Sequence, residues 1–328
     1  MKKRLLSMIG LLLILCVCVS VSSCSFKTKE KETIVRVGGL KGPTSIGMAK
    51  IWADAEGKED ADYSFLIAGS ADELTPKLLQ GELDIAAVPA NLAAVLYQRS
   101  QGEIRVLGIN TLGVQYIVSR GEEIASPADL RGKTLWATGK GTVNEYNMRY
   151  LFAQSGVDLD RDVNVEWKSE PTEVVALLKT SESGVAMLPQ PYVTIAQTQV
   201  EGLDVAFGLN DLWTALDNGT AMVTGVFVVR GSWAEAHPEA VKKFLADYRA
   251  SAAFVNENPA EAADVVERML GIKAAVAARA IPYCAITCVT GAEMKEKLSG
   301  YLGILYEQNP AAVGGQMPGE AFYLSLEE

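Results

Sequence analysis

The feature that most constrains this chain is a correspondence between its first and second thirds. A single shift carries Val37–Thr44 (VGGLKGPT) onto Trp136–Val143 (WATGKGTV), setting Lys41 on Lys140 and Gly42 on Gly141. The same shift carries Ser70, after FLIAG, onto Ser169, after VNVEW, and Leu78-Leu79 onto Leu177-Leu178. With one inserted residue, DIAAVPANLAAVLYQ then lies over GVAMLPQPYVTIAQT and pairs Pro89 with Pro189. Matches that keep one register indicate a duplicated unit. Each copy alternates short apolar strands with helical stretches, a pattern that predicts open α/β sheets with crossover helices. In such sheets the loops at the carboxyl ends of the strands gather at one edge, where ligands bind. Two copies facing each other predict a cleft walled on each side by a Gly-Lys turn, a Ser turn and a Pro turn.

The first of these turns, GGLKGPTSIGMA, follows the apolar Ile34–Val37. A strand, a glycine-rich turn with a lysine and a helix start is a phosphate-holding layout. A P-loop, however, needs two glycines five apart followed by Lys and Ser/Thr, and Gly38 to Thr44 do not fit it. What remains is a helix N-terminus with a hydroxyl and one cation, suited to an anion or an acceptor, or else an ordinary capped turn. Residues 106–121 and 220–231 are extended and β-branched, and are expected to connect two lobes. The first lobe then comprises 34–111 and 226–328, and the second 112–225. From Ser232 onward the spacing of Trp233, Val241, Phe244, Leu245, Tyr248 and Phe254 is helical, with these side chains expected in the core.

Near the N-terminus, Lys2, Lys3 and Arg4 precede the uncharged apolar run from Leu5 to Val21, a basic n-region and an h-region. Residues 1–23 are therefore expected to be a signal peptide. Val21-Ser22-Ser23-Cys24 resembles the lipobox of bacterial lipoproteins, with Val21 in the usual place of leucine and Ser23 in that of Gly or Ala. The resemblance implies lipidation of Cys24 and an extracytoplasmic protein anchored to the cell membrane. Residues 24–33 are polar and charged and read as a flexible tether. Cys16 and Cys18 lie in the leader, so Cys284 and Cys288 remain; outside the cytoplasm they are expected to form a disulfide, two free thiols being the alternative. The single histidine, His237, and two cysteines make a poor metal site, and no metal or cofactor is expected. The net charge of −10, more negative once the basic leader is removed, argues against nucleic acid as a partner. There is no GxSxG elbow, and Glu122-Glu123 reads as a solvated loop pair.

LKGPTSIGMAK, GELDIAAVPANLAAVLY, SPADLRGKTLWATGKG and HPEAVKKFLADYRASAAFVNENPAEAA together resemble the substrate-binding lipoproteins of ABC importers. These have the type II periplasmic-binding-protein fold and belong to the superfamily that binds nitrate, taurine, aliphatic sulfonates and thiamine pyrimidine precursors. The resemblance covers essentially the whole mature chain. It implies an α/β fold of two lobes, each an open mixed sheet flanked by helices, with the ligand cleft between them. It also implies a monomer, not an enzyme, that captures a small solute and hands it to an ABC permease and its ATPase.

Ligand contacts are implied on the loops that the duplication selects. In the first copy these are Lys41, Thr44 and Ser45, then Ser70, then Asn91 after Pro89. In the second they are Thr138, Lys140, Thr142 and Asn144, then Ser169, then Gln190 and Tyr192. For each of them a helix cap is the competing role. These loops lack arginine, so no bidentate clamp is implied, and Trp136, Tyr192 and Trp213 offer rings on which a flat solute would stack. Two other readings stay open. One is a pyrimidine-synthase-like enzyme, whose iron motif of histidine and cysteines is missing here; the other is a solute sensor that docks to a membrane signalling partner.

Overall fold

The computed structural model describes residues 34–324; the expected signal peptide, Cys24 and the tether lie outside the described residues. The chain begins with β1 (Val35–Leu40), β2 (Tyr63–Ala68) and β3 (Ile85–Pro89), joined by α1 (Pro43–Ile46), α2 (Ala49–Ala55) and α3 (Ala71–Leu79). Next come α4 (Ala90–Arg99), β4 (Ile104–Leu112) and β5 (Gln115–Arg120). The first arrangement then recurs as β6 (Thr134–Thr138), β7 (Asn164–Lys168) and β8 (Gly184–Pro189), joined by α5 (Val143–Gln154), α6 (Leu159–Asp162) and α7 (Pro171–Thr180). It is followed by α8 (Tyr192–Gln199), β9 (Leu203–Gly208), α9 (Leu209–Ala215) and β10 (Val223–Arg230). The last part contains α10 (Gly231–Ala236), α11 (Pro238–Glu257), α12 (Pro259–Leu270), α13 (Ala274–Ala280), β11 (Ile286–Val289) and α14 (Gly291–Gln308). Proline opens α1, α7, α11 and α12, where its missing N–H costs no helical hydrogen bond.

The strands form two mixed sheets, ordered β11-β4-β10-β3-β1-β2 and β7-β6-β8-β5-β9. In the first, β1 lies between β2 and β3 with parallel pairing; in the second, β6 lies between β7 and β8 in the same way. An antiparallel strand then flanks each trio, β10 beside β3 and β5 beside β8. The common plan is the duplication made visible. Residues 106–121 resolve into two strands in different sheets, with Gly113 and Val114 as the crossing. The strand β10 lies wholly in the first sheet, so the expected lobe boundary between 225 and 226 falls inside it and the return crossing precedes Val223.

The central strands are buried on both faces, as Ile85–Val88 and Val185–Leu188 show, because helices cover each sheet on two sides. On the outer side of the first sheet α11 buries Val241, Phe244, Leu245 and Tyr248, as read from the sequence, together with Ala252 and Val255, whereas Phe254, expected in the core, is only half-buried against it. On the other side α14 buries Met294, Leu298, Tyr301, Leu302 and Leu305 and touches β4 and α4 as well as α5 of the second lobe. One glycine in β1 is required by close approach: a Cβ on Gly39 would stand 2.5 Å from Ser45 Oγ, so glycine lets α1 settle onto its own strand.

The expected disulfide is corrected: Cys284 and Cys288 are free thiols. The buried Cys284 Sγ turns back to the Ala280 carbonyl oxygen at 3.2 Å, whereas Cys288 belongs to β11. Burial pushes the Cys284 thiol up to about 12.

Candidate functional site

The strand ends of the two sheets meet around a cleft of about 710 Å³. Its first wall is the turn after β1. There Lys41 donates its N–H to the Ala68 carbonyl at 3.0 Å, and the chain breaks into α1 at Gly42-Pro43. The opposite wall comes from the second sheet. Gln115 opens β5 directly across from Pro189, and the Gln190 N–H donates to the Val114 carbonyl at 2.9 Å, so the two glutamines are neighbours. Asn144 and Asn147 sit in the first turns of α5 and also line the space. A third side is closed by Gly271, Ile272 and Lys273 between α12 and α13, and α13 packs on α8 of the second lobe.

The polar groups of this cleft are amides, hydroxyls and cations. Gln190 Oε1 accepts from Thr194 Oγ1 at 2.9 Å and from the Thr194 N–H at 3.4 Å. Asn147 Oδ1 accepts from the Tyr301 hydroxyl at 3.1 Å, and burial holds that phenol well above its usual range. Gln115 is 4% exposed and its Oε1 has no hydrogen-bond partner. A buried amide oxygen without a partner costs about 1–3 kcal/mol, an expense that a bound donor would remove. Lys41 and Lys273 bring positive charge from the first lobe, and Lys273 Nζ lies 3.1 Å from Glu267 Oε1. Thr198, Gln199 and Thr224 add further polar groups, and the apolar part of the lining is Val114, Val143, Ile195, Leu270, Ile272 and Val276 with the ring of Tyr192. Among the described lining residues there is no carboxylate.

Of the residues implied by the sequence, the structure brings Lys41, Asn144, Gln190 and Tyr192 together in this cleft. Others are occupied in supporting the turns. Ser70 caps α3 by accepting from the Glu73 N–H at 3.4 Å, and Thr142 caps α5 by accepting from the Asn144 N–H at 3.3 Å. The buried Thr138 presents its carbonyl to Asn144 Nδ2, and Asn91 donates to the Ala312 carbonyl at 3.4 Å. Ser169 donates its N–H to Glu173 Oε2 on an exposed loop. Thr44 is buried against Gly225, and Ser45 Oγ, facing Gly39, lies buried without a partner. Lys140 is exposed on the side of Asp160, whose carboxyl is held below its usual range first by Arg149 and to a lesser degree by Lys140. Two of the three rings considered for stacking are also placed elsewhere. Trp213 is 1% exposed in the core, and Trp136 covers Gly184.

Sequence reasoning missed Gln115, Asn147, Thr224, Lys273 and Tyr301, all of which line the cleft. A signal existed for Gln115, a lone amide in the apolar run GVQYIV. Lys273 and Tyr301 come from the helical part assigned to packing.

Comparison with known proteins agrees with this architecture. The model of the NMT1-like family matches residues 46–270. A Brucella abortus (strain 2308) protein named only as a binding protein is 26% identical over 177 residues, which are 54% of this chain and 53% of that protein. A Brucella suis protein gives the same figures, so the chain spans about half the length of the curated relatives it matches. Among solved structures, an ABC transporter protein from Parabacteroides distasonis superposes with a TM-score of 0.76 at 22% identity, over 90% of this chain and 100% of that one. The periplasmic aliphatic sulphonate binding protein SsuA from Escherichia coli superposes with a TM-score of 0.67 at 16% identity, over 85% and 93%. The periplasmic nitrate-binding protein NrtA from Synechocystis does so with 0.52 at 14% identity, over 74% and 68%. At these identities the likeness to solved structures is one of fold: two lobes, each a mixed sheet flanked by helices.

Proposed function

We propose that this chain, which belongs to the NMT1-like family, is the solute-binding component of an ABC importer, holding a small organic solute between its lobes and delivering it to a permease. The observation that carries this reading is the cleft itself. Its walls come from strand ends of two separate sheets, and amides and lysines there face a largely apolar enclosure of about 710 Å³, a size suited to a small molecule. Such a lining supplies hydrogen bonds, charge and apolar surface, the means of binding, and this supports a binder over a pyrimidine-synthase-like enzyme. The names of the structural neighbours support the same choice. Neither wall is a complete site, so a bridging solute would favour the closed arrangement of the lobes, and that arrangement is the one a permease would recognise. A sensor would use the same cleft with a different membrane partner.

Mass spectrometry of the natively purified chain tests the reading. We expect a small molecule that stays with the folded protein and leaves on unfolding. A chain that carries nothing, and whose melting temperature is unmoved by a low-molecular-weight cell extract, contradicts the proposal. With that molecule in hand, Lys41→Ala is expected to weaken binding by about 1.5–3 kcal/mol, the worth of a hydrogen bond to a charged group. Lys140→Ala, on the exposed side of the second lobe, is expected to change it by less than about 0.5 kcal/mol. Calorimetry that ranks the two lysines the other way would sink the assignment of the walls.

The anchor belongs to the same proposal. Lipid on Cys24 would hold the chain, as a monomer, at the outer face of the cell membrane; among the described residues no helix is long and apolar enough to cross one. Cys24→Ala is expected to move the protein from the membrane fraction to the soluble one with its melting temperature unchanged. Continued membrane association of that variant would point to a retained N-terminal helix.

A further inference from the structure

The side of the cleft closed by Gly271, Ile272 and Lys273 is the start of an arm that runs from the first lobe to the second. Residues 271–285 are fixed to the first lobe by the buried Ala277, Ala280, Ile281 and Cys284, which pack in the core shared with α11. At each end the backbone turns through a left-handed residue, Gly271 at φ 75° and Ala285 at φ 46°. The far end of the arm meets both sides of the crossing at Gly113 and Val114. On the first-lobe side the Leu112 N–H donates to the Ala285 carbonyl at 3.0 Å, and on the second-lobe side the Tyr116 hydroxyl donates to the Tyr283 carbonyl at 2.9 Å. Tyr283 gives only its backbone to that bond, and its ring is 56% exposed. The Tyr116 ring is half-buried beside Gly208, its partner on β9, and burial pushes the phenol up to about 12, so it stays protonated and donates. Tyr192 and Ile195 of α8 pack in the same cluster as Tyr116, and α13 of the arm packs on that helix.

None of these contacts needs a solute to complete it, because donor and acceptor both belong to the chain. A hydrogen bond that spans the crossing is made only while the lobes are together, and it biases them toward that arrangement. We propose that residues 271–285 form a latch across the hinge, with Tyr116 as its keeper on the second lobe, and that this latch holds the lobes closed before any solute binds. Solute then enters and leaves when the bond from Tyr116 to Tyr283 breaks and α13 parts from α8, on the side of the cleft lined by Ile195, Gln199, Ile272, Lys273 and Val276. The latch goes beyond the solute-binding reading and depends on no property of the solute.

The test reads the distance between the lobes by double electron–electron resonance. Spin labels are placed at Asp72 and Lys140, exposed residues that follow β2 and β6, strands away from the crossing in their sheets. The labels are carried on azide-bearing residues, which leaves Cys284 and Cys288 native. The mature chain is measured after any co-purified solute has been removed by unfolding and refolding. Wild type is expected to show one dominant short distance in this solute-free state. Tyr116→Phe, which keeps the ring and removes the hydroxyl, is expected to add a longer distance and to raise the ratio of open to closed by about fivefold, the equilibrium factor of one ordinary hydrogen bond. Tyr283→Ala keeps the accepting carbonyl and is expected to leave the wild-type distribution unchanged. A wild-type chain that is already open without solute overturns the latch, as does a Tyr116→Phe distribution identical to wild type. Opening by Tyr283→Ala as large as that by Tyr116→Phe also overturns it, because the ring and not the carbonyl would then hold the lobes. If wild type is open when solute-free and closes when the co-purified solute is returned, the latch fails while the solute-binding reading stands. A chain that co-purifies with no solute yet shows the short distance, and loses it in Tyr116→Phe, supports the latch even as that reading fails.

Discussion

Replacing Trp213 by alanine is expected to destabilise the protein by about 3–5 kcal/mol, the range for deleting a large buried aromatic side chain. The indole is 1% exposed, with its ring centroid 4.9 Å from that of Tyr150 and 5.5 Å from that of Tyr301. Its Nε1 donates to Thr220 Oγ1 at 2.9 Å, so the substitution also strips a hydrogen bond from the segment leading into β10. These contacts join α9 to α5 and α14, where the second lobe meets the C-terminal helix. Trp213→Phe keeps an aromatic ring in the space and is expected to recover more than half of the loss. Urea unfolding followed by fluorescence of the remaining tryptophans checks this, with the midpoint falling and the slope unchanged. A loss below about 1 kcal/mol would show that the site collapses around the smaller side chain and that the contact between the lobes does not depend on the indole.

Asp84→Ala is expected to cost about 2–3 kcal/mol, somewhat less than the loss of one partner from a fully buried ion pair. The carboxylate lies just before β3 and is fully buried. It accepts from the Arg36 backbone N–H at 2.9 Å and from Nε at 2.9 Å, and it pairs with Arg36 Nη2 as well. Hydrogen bonding to Asp84 is the main cause that raises the Arg36 guanidinium above its usual range. The guanidinium is 42% exposed and recovers some hydration in the variant, which places the estimate below the buried-pair value. Asp84→Asn retains an acceptor for the backbone N–H and is expected to cost less than alanine. Equal losses for the two variants would mean that the charge alone, and not the bonded geometry between β1 and β3, carries the effect.

The plan of the fold was legible because its signals are local and occur twice. Strand, turn and helix alternate in VRVGGLKGPT and again in TLWATGKGTV, and the structure returns the same trio of parallel strands in each sheet. The site was legible only where topology decides it. Strand-end loops must line the edge between the sheets, and this located Lys41, Asn144, Gln190 and Tyr192. It did not separate ligand contacts from caps. Ser70 and Thr142 occupy positions where a hydroxyl serves a helix N-terminus or a solute equally well, and the backbone N–H groups of Glu73 and Asn144 take them. Nor does apolar periodicity tell a helix face that meets the core from one that meets a cleft. Tyr301 has the spacing of its buried neighbours Leu298 and Leu305, yet it reaches the cleft and fixes Asn147. Lys273 follows a glycine turn between two helices that have no counterpart in the duplication. Free thiols in place of a disulfide follow from the turn into β11, where a left-handed Ala285 separates Cys284 from the strand that holds Cys288.

The central claim is that one solute touches both lobes, and amide hydrogen exchange tests it most directly. With the co-purified solute in excess, exchange is expected to slow by at least about tenfold in two separate segments. One is the turn from Lys41 to Ser45 in the first lobe, and the other is the second-lobe wall around Gln115, Asn147 and Gln190. Protection confined to one lobe, or no change in either, would contradict the account.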